Sequence, residues 1–284
     1  MLQKNNKTTI NCKGKLIDIS SPIVMGIINV TPDSFYDGGK NSSVETAINQ
    51  VRKHLEEGAT VIDIGGYSSR PGADEVTEQE ELNRTIPIIE AVLTAFPDAI
   101  ISIDTFRSNV AKKAIEAGAA IINDISAGDL DDNMFSVVAE KQVPYILMHM
   151  QGTPETMQDN PNYKNIIQEI TYYLSEKINM LRKKGVNDII IDPGFGFGKT
   201  LEHNYEILGK LNNFQLLNVP ALAGISRKSM IYKLLEISSK ESLNGTIAAN
   251  IIALRNGANI LRVHDVKEAS ECIRLDNKTS MPKN

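Results

Sequence analysis

Ile189-Ile190-Ile191-Asp192-Pro193-Gly194-Phe195-Gly196-Phe197-Gly198-Lys199 is the stretch from which the fold is read. A short β-branched run that ends in a carboxylate, then proline and alternating glycines, predicts a buried strand opening into a loop. The glycines let the backbone come close to a ligand, and the two phenylalanines are expected to offer exposed, flat apolar walls. Seven further runs of the same kind surround it: Ile23 to Ile28, Val61 to Ile64, Ile100 to Ile103, Ala119 to Ile122, Tyr145 to Met148, Ala221 to Ile225 and Asn259 to Val263. Helical stretches lie between them. Val44 to Glu57, Val110 to Ala117, Ile166 to Lys184 and Ile247 to Asn256 each stop at a glycine (Gly58, Gly118, Gly185 and Gly257). Glycine takes the left-handed conformation that ends a helix without a side-chain penalty.

Eight alternations in 284 residues average roughly 35 residues, the size of one β/α unit. Runs with little polar alternation suit parallel strands buried on both faces. The chain is therefore read as α/β, a single (β/α)8 TIM barrel with its active site at the C-terminal ends of the strands. An open doubly wound sheet would show fewer strands and one dominant glycine-rich first loop.

Composition agrees with one enzyme-sized domain spanning 1–284, its core at about 20–275 and its two ends polar and mobile. Cys12 and Cys272 have no metal-ligand spacing and suit a reducing compartment. No basic-then-apolar leader and no run of membrane-spanning length is present, so a cytoplasmic protein is expected. A net charge of −5 argues against a nucleic-acid partner.

The strand-end rule turns the sequence into a list of candidates. Asn29, Thr31, Pro32 and Asp33 follow the first strand; Asp63 and the segment Gly65 to Pro71 belong to the second; Asp104 and Arg107 to the third. The fourth gives Asn123 and Asp124, the fifth Met148, His149 and Gln151, the sixth Asp192 and Lys199. Ser226, Arg227, Lys228 and Ser229 follow the seventh, and Arg262, His264 and Asp265 close the series. Arg262 and His264 are two apart, so on an extended segment they project to one side, where this fold habitually binds phosphate. Asp104, Asn123, Asp192 and Lys228 offer acceptors and donors suited to the polar edge of a planar heterocycle. Simpler readings apply elsewhere. Asp63, Asp33 and Asp124 suit turn caps, Met148 and Met150 suit packing, and His54, in a charged helix, suits a solvated face.

Several segments are similar to the signatures of the dihydropteroate synthase family. They are Met25 to Phe35, Asp63 to Ala73, Ser102 to Thr105, Ile122 to Ile125, Met148 to Gly152, Asp192 to Lys199, Ser226 to Ser229 and Arg262 to Val266. The resemblance spans about Ile23 to Val266 and implies condensation of p-aminobenzoate with 6-hydroxymethyl-7,8-dihydropterin pyrophosphate, in folate biosynthesis, with magnesium as cofactor and sulfonamides as inhibitors. By resemblance Asp104, Asn123, Met148, Asp192 and Lys228 hold the pterin. Asn29, Ser69, Arg70, Arg262 and His264 contact pyrophosphate, with Asn29 also on the metal. Arg70, Pro71, Phe197, Lys228 and Ser229 shape the p-aminobenzoate pocket, and Asp104, Lys228, Arg262 and His264 carry catalysis. It also implies a homodimer formed through the late helices, for which the apolar face of Ile247 to Leu254 is a candidate. One departure stands in the second signature, where Tyr67-Ser68-Ser69 replaces the usual Glu-Ser-Thr. A corrinoid-linked pterin methyltransferase and a catalytically silent pterin-binding paralogue are the alternatives. The first has no use for Arg262 and His264; the second predicts erosion of Asn29, Arg70, Lys228 or His264, and all four stand.

Overall fold

A computed structural model describes residues 9–30, 39–67 and 76–280. Two short strands, β1 (Thr9–Cys12) and β2 (Lys15–Asp18), form an antiparallel hairpin. The barrel strands follow as β3 (Ile23–Asn29), β4 (Val61–Gly65), β5 (Ile101–Asp104), β6 (Ile121–Asp124), β7 (Tyr145–Met148), β8 (Ile189–Asp192), β9 (Leu222–Ala223) and β10 (Ile260–Val263). All are parallel, in the order β8-β7-β6-β5-β4-β3-β10-β9. The ring closes at its weakest seam through a single bridge, Ile191 to Ala221. Each of the eight apolar runs forms a strand. The seventh is the shortest, two residues where five were expected.

The helices are α1 (Gly39–Glu56), α2 (Glu78–Ala95), α3 (Ser108–Glu116), α4 (Met134–Lys141), α5 (Ile166–Lys183), α6 (Leu201–Gly209), α7 (Ser229–Leu234), α8 (Leu243–Arg255) and α9 (Val266–Ser280). Local rules fix their ends. Asn165 caps α5 by accepting from the Gln168 amide, and its apolar stripe Ile166, Ile170, Leu174, Ile178 and Leu181 is buried at helical spacing. Gly185, at φ +81°, stops it. One apolar cluster joins the outer strand faces to these helices, and a second fills the barrel interior.

Two features were not foreseen, and one expectation is corrected. The N-terminal hairpin, not foreseen, buries Ile10, Cys12, Ile17 and Ile19 against the inward Ile23, Met25, Ile146 and Ile190, so the core begins before residue 20. At the other end α9 runs to Ser280, with Asn277 Nδ2 donating to Ser21 Oγ at 2.9 Å. His54 is buried rather than solvated, because α1 turns it onto β3: a Cβ at Gly26 would stand 2.6 Å from His54 Nδ1. Burial, followed by the Lys53 charge, pushes His54 down to about 4, so it packs as a neutral ring.

Candidate active site

The strand ends converge on a pit at the C-terminal mouth of the barrel. Parallel register sets Asp104 of β5 beside Asn123 of β6 and Gly65 of β4, and Met148 of β7 beside Asp192 of β8. Arg262 of β10 reaches across the mouth. Its Nε donates to Asp63 Oδ2 at 2.6 Å and its Nη2 to Asp104 Oδ2 at 2.5 Å. Asp63 Oδ2 also accepts from Asn123 Nδ2 at 3.0 Å, while Asp63 Oδ1 is buried without a partner. Asp63 thus belongs to the pit and is not a turn cap. Its place inside β4, two residues before the strand ends, was the sequence signal, since period 2 turns it inward.

Asp192 is nearly closed off; its Oδ1 accepts from the Gly194 amide at 2.7 Å. Lys228, at the start of α7, donates to the Phe195 carbonyl and lies 4.6 Å over the Phe197 ring. A charged amine over an aromatic face is favourable. Only Phe197 provides the wall expected of both phenylalanines, because Phe195 is fully buried in the core. Burial raises Asp104 to about 7 against the pull of Arg262, with Asp63 adding to the rise. Asp192 is raised by burial too, opposed by Lys228. Burial lowers Lys228 to about 8, with Asp192 working the other way. Burial opposes the charge of Arg262, yet Asp63 and Asp104 hold it above its ordinary value.

His264 and Ser226 meet at the end of this mouth, Ser226 Oγ lying 3.2 Å from His264 Nδ1 and accepting from the His264 amide at 3.2 Å. Arg262 and His264 therefore face different partners. Arg227, at φ +55°, turns its side chain away from the pit to grip Asp265 through Nε and Nη2 at 2.8 and 2.7 Å. Asn29 ends β3 next to Gly65, and Ser229 opens α7. Asp124 is a turn residue, as read, accepting from the Ser126 and Gly128 amides and from Tyr145 Oη at 2.6 Å. Thr31, Pro32, Asp33, Ser69, Arg70 and Pro71 lie outside the described residues.

Residues 25–264 match the family described as pterin binding enzyme. The chain is 45% identical over 269 residues to the dihydropteroate synthase of Escherichia coli K12, covering 94% of this chain and 95% of that protein. The chain belongs to the pterin-binding enzymes, among the dihydropteroate synthases. A Yersinia pestis dihydropteroate synthase, solved with a sulfonamide drug, superposes with a TM-score of 0.90 at 42% identity, covering 95% of this chain and 98% of that one. A Xanthomonas albilineans dihydropteroate synthase solved with 4-aminobenzoic acid also gives 0.90, at 39% identity, over 97% and 99% of the two chains. These matches cover nearly the whole chain, so the barrel fold is shared.

Proposed function

We propose that this chain joins p-aminobenzoate to 6-hydroxymethyl-7,8-dihydropterin pyrophosphate, forming 7,8-dihydropteroate and pyrophosphate. The observation that carries the reading is the pit itself. Carboxylates, an amide and two cations line one edge of the barrel mouth, in a chain 45% identical to a dihydropteroate synthase. Asp104, Asn123 and Asp192 accept from the pterin's amidine-like edge, and Met148 packs on its plane. A buried acceptor array of this kind rejects rings that lack the matching donors.

The reaction runs by dissociation. The methylene C–O bond breaks with its electron pair going to pyrophosphate, and the aniline lone pair then forms the C–N bond. The surplus proton leaves with solvent or pyrophosphate. Asp104 faces the methylene cation, while Arg262 and His264 face the charge developing on the leaving group, a role that resemblance extends to Ser69 and Arg70. Lys228, Phe197 and Ser229 frame the incoming amine, a role that resemblance extends to Pro71. Among the described residues no cluster of three metal-ligating side chains exists. Magnesium keeps most of its waters and prefers phosphate oxygens, so one protein oxygen would suffice, and Asn29 at the end of β3 would supply it. Such an ion would neutralise charge on the diphosphate.

The protein is read as cytoplasmic, and no described helix is long and apolar enough to cross a membrane. It is further read as a homodimer through α7 and α8, where Leu234, Leu235 and Ile252 are exposed while Ala249, Ala253 and Leu254 pack inward; light scattering at micromolar concentration checks this. The activity test is pyrophosphate release from the pterin substrate with magnesium, with and without p-aminobenzoate. Release followed by dihydropteroate formation is expected. Tight pterin binding without release would replace the synthase by a silent binding protein. Secondary isotope effects at the methylene close to unity would overturn the dissociative course.

A further inference from the structure

The glycine-rich turn after β8 is held by an unusual set of donors. A Cβ at Gly194 would come within 2.0 Å of the His149 carbonyl, and one at Gly198 within 2.6 Å of the Gln151 carbonyl. The turn therefore lies hard against the segment leaving β7, and glycine at φ +74° and +63° is what lets it do so. Its successive carbonyls are each bound by a side chain. Phe195 O accepts from Lys228, Gly196 O from Gln158 Nε2 at 2.9 Å, Phe197 O from Lys199 Nζ at 2.8 Å and Gly198 O from Tyr163 Oη at 2.7 Å.

Lys199 is the buried member of this set, 4% exposed, and has no part in the chemistry above. Its Nζ has three partners: the Phe197 carbonyl, the His149 carbonyl at 3.2 Å and His149 Nδ1 at 3.1 Å. The geometry satisfies either form of the amine: an ammonium donates to all three when the His149 proton is on Nε2, and a neutral amine donates to the two carbonyls and accepts from Nδ1–H. The ring is itself wedged, edge-on to Tyr173 at 5.0 Å and tilted to Tyr163 at 6.0 Å. Burial, then the Lys199 charge, holds His149 down to about 2, so the ring is neutral, with one nitrogen a donor and the other an acceptor. Burial pulls Lys199 well below the usual amine range, with the Asp192 charge working the other way and Lys228 adding to the fall.

We propose that Lys199 is a positioning residue for the p-aminobenzoate pocket: by fixing the Phe197 carbonyl to the exit of β7, it sets where the Phe197 ring and the Lys228 amine above it stand. The inference rests on the synthase reading for its substrate but not for its geometry. Asp63, Asp104 and Asn123 sit on other strands, so most of the pterin end of the pit does not depend on this anchor, and only Asp192 and Met148 at its edge pass a smaller effect to the pterin.

Lys199→Met keeps the apolar stem and deletes every donor. It is expected to raise KM for p-aminobenzoate about tenfold, the scale of a sub-ångström misplacement, with a smaller effect on kcat and with pterin pyrophosphate affinity within about twofold. Lys199→Gln restores N–H donors and recovers part of the loss. Adding Phe197→Ala to Lys199→Met brings little further rise, because both act through one ring. The chain has no tryptophan, so Phe197→Trp is a lone reporter. Its acrylamide quenching rises several-fold when Lys199→Met is added. A lower melting temperature with unchanged p-aminobenzoate KM and unchanged quenching would overturn the proposal, as would equal weakening of both substrates. Absence of turnover in the unsubstituted protein sinks the synthase reading alone, since the quenching experiment still decides the role of Lys199.

Discussion

Asp104, Arg262 and Lys228 show how burial sets the working state of single residues. Arg262 lies between Asp63 and Asp104, so removing either carboxylate's charge leaves a half-compensated cation in the pit. Asp104→Asn is expected to lower kcat by about 10²–10³, as for loss of one preorganised charged contact, while steady-state fluorescence titration still detects the pterin. Unchanged kcat would remove Asp104 from the chemistry. The pH dependence follows from the same environment. Asp104 acts ionised and is raised to about 7, whereas Lys228 acts protonated and is lowered to about 8. Activity should rise as Asp104 loses its proton and fall as Lys228 loses its own, a narrow bell in kcat/KM for the free enzyme. Lys228→Arg should move the alkaline limb beyond the measurable range. For stability the signs are opposite in origin: the raised carboxyl gives a contribution lost as pH rises through about 7, and the depressed amine one lost as pH falls through about 8. At this scale the sequence was readable for polar residues ending a strand, such as Asn123 and Asp192. It was misleading for Asp63 and His54, because their partners Arg262 and Gly26 are brought close only by the fold.

At the scale of elements, the loops after β9 and β10 behave as one unit. Arg227 sends a two-pronged ion pair to Asp265 and donates to the Lys240 carbonyl at 2.9 Å, while its own amide donates to Thr246 Oγ1 at 3.1 Å. A non-glycine residue at φ +55° is strained, and the contacts hold that turn so that Ser226 and Lys228 face the pit on either side. The pair is partly exposed, so its direct stabilisation is small, near the upper end of about 1 kcal/mol for such pairs. Its effect on geometry is larger. Arg227→Met is expected to lower kcat/KM for the pterin substrate about tenfold with a small change in melting temperature, and Asp265→Asn to share most of that loss rather than add to it. Simple additivity in the double variant would show that the two loops are not coupled. The same region explains why β9 shrank relative to its apolar run. Toward β8, Ala221 pairs through one bridge to Ile191, and Ile225 already begins the next turn, its carbonyl accepting from the Lys228 amide. Apolar content predicts burial, and ladder pairing is a separate requirement.

For the whole molecule, the count of eight strand-and-helix units was legible because each unit carries its own punctuation. How the barrel is sealed was not. The closing seam between β8 and β9 is one bridge wide, and the opposite end of the barrel is stoppered by a hairpin that reads as a polar leader with scattered apolar residues. Ile10 and Ile19 are each 1% exposed within the interior cluster. They cover Met25, Ile146 and Ile190, which would otherwise face water at the floor of the barrel. The floor lies at the end of the barrel away from the strand ends that carry the pit, so it contributes to stability without touching the chemistry. Truncating a fully buried isoleucine costs about 2–5 kcal/mol, and for a domain of this size each kcal/mol shifts the melting temperature by about 2–4 °C. Ile10→Ala is therefore expected to melt at least about 4 °C lower while its kcat and both substrate affinities at 25 °C stay as in the unsubstituted chain. Calorimetry and steady-state kinetics on one preparation separate the two effects. An unchanged melting temperature would make the hairpin an ornament rather than a stopper, and a changed kcat at full folding would mean that the floor and the mouth of the barrel are mechanically linked.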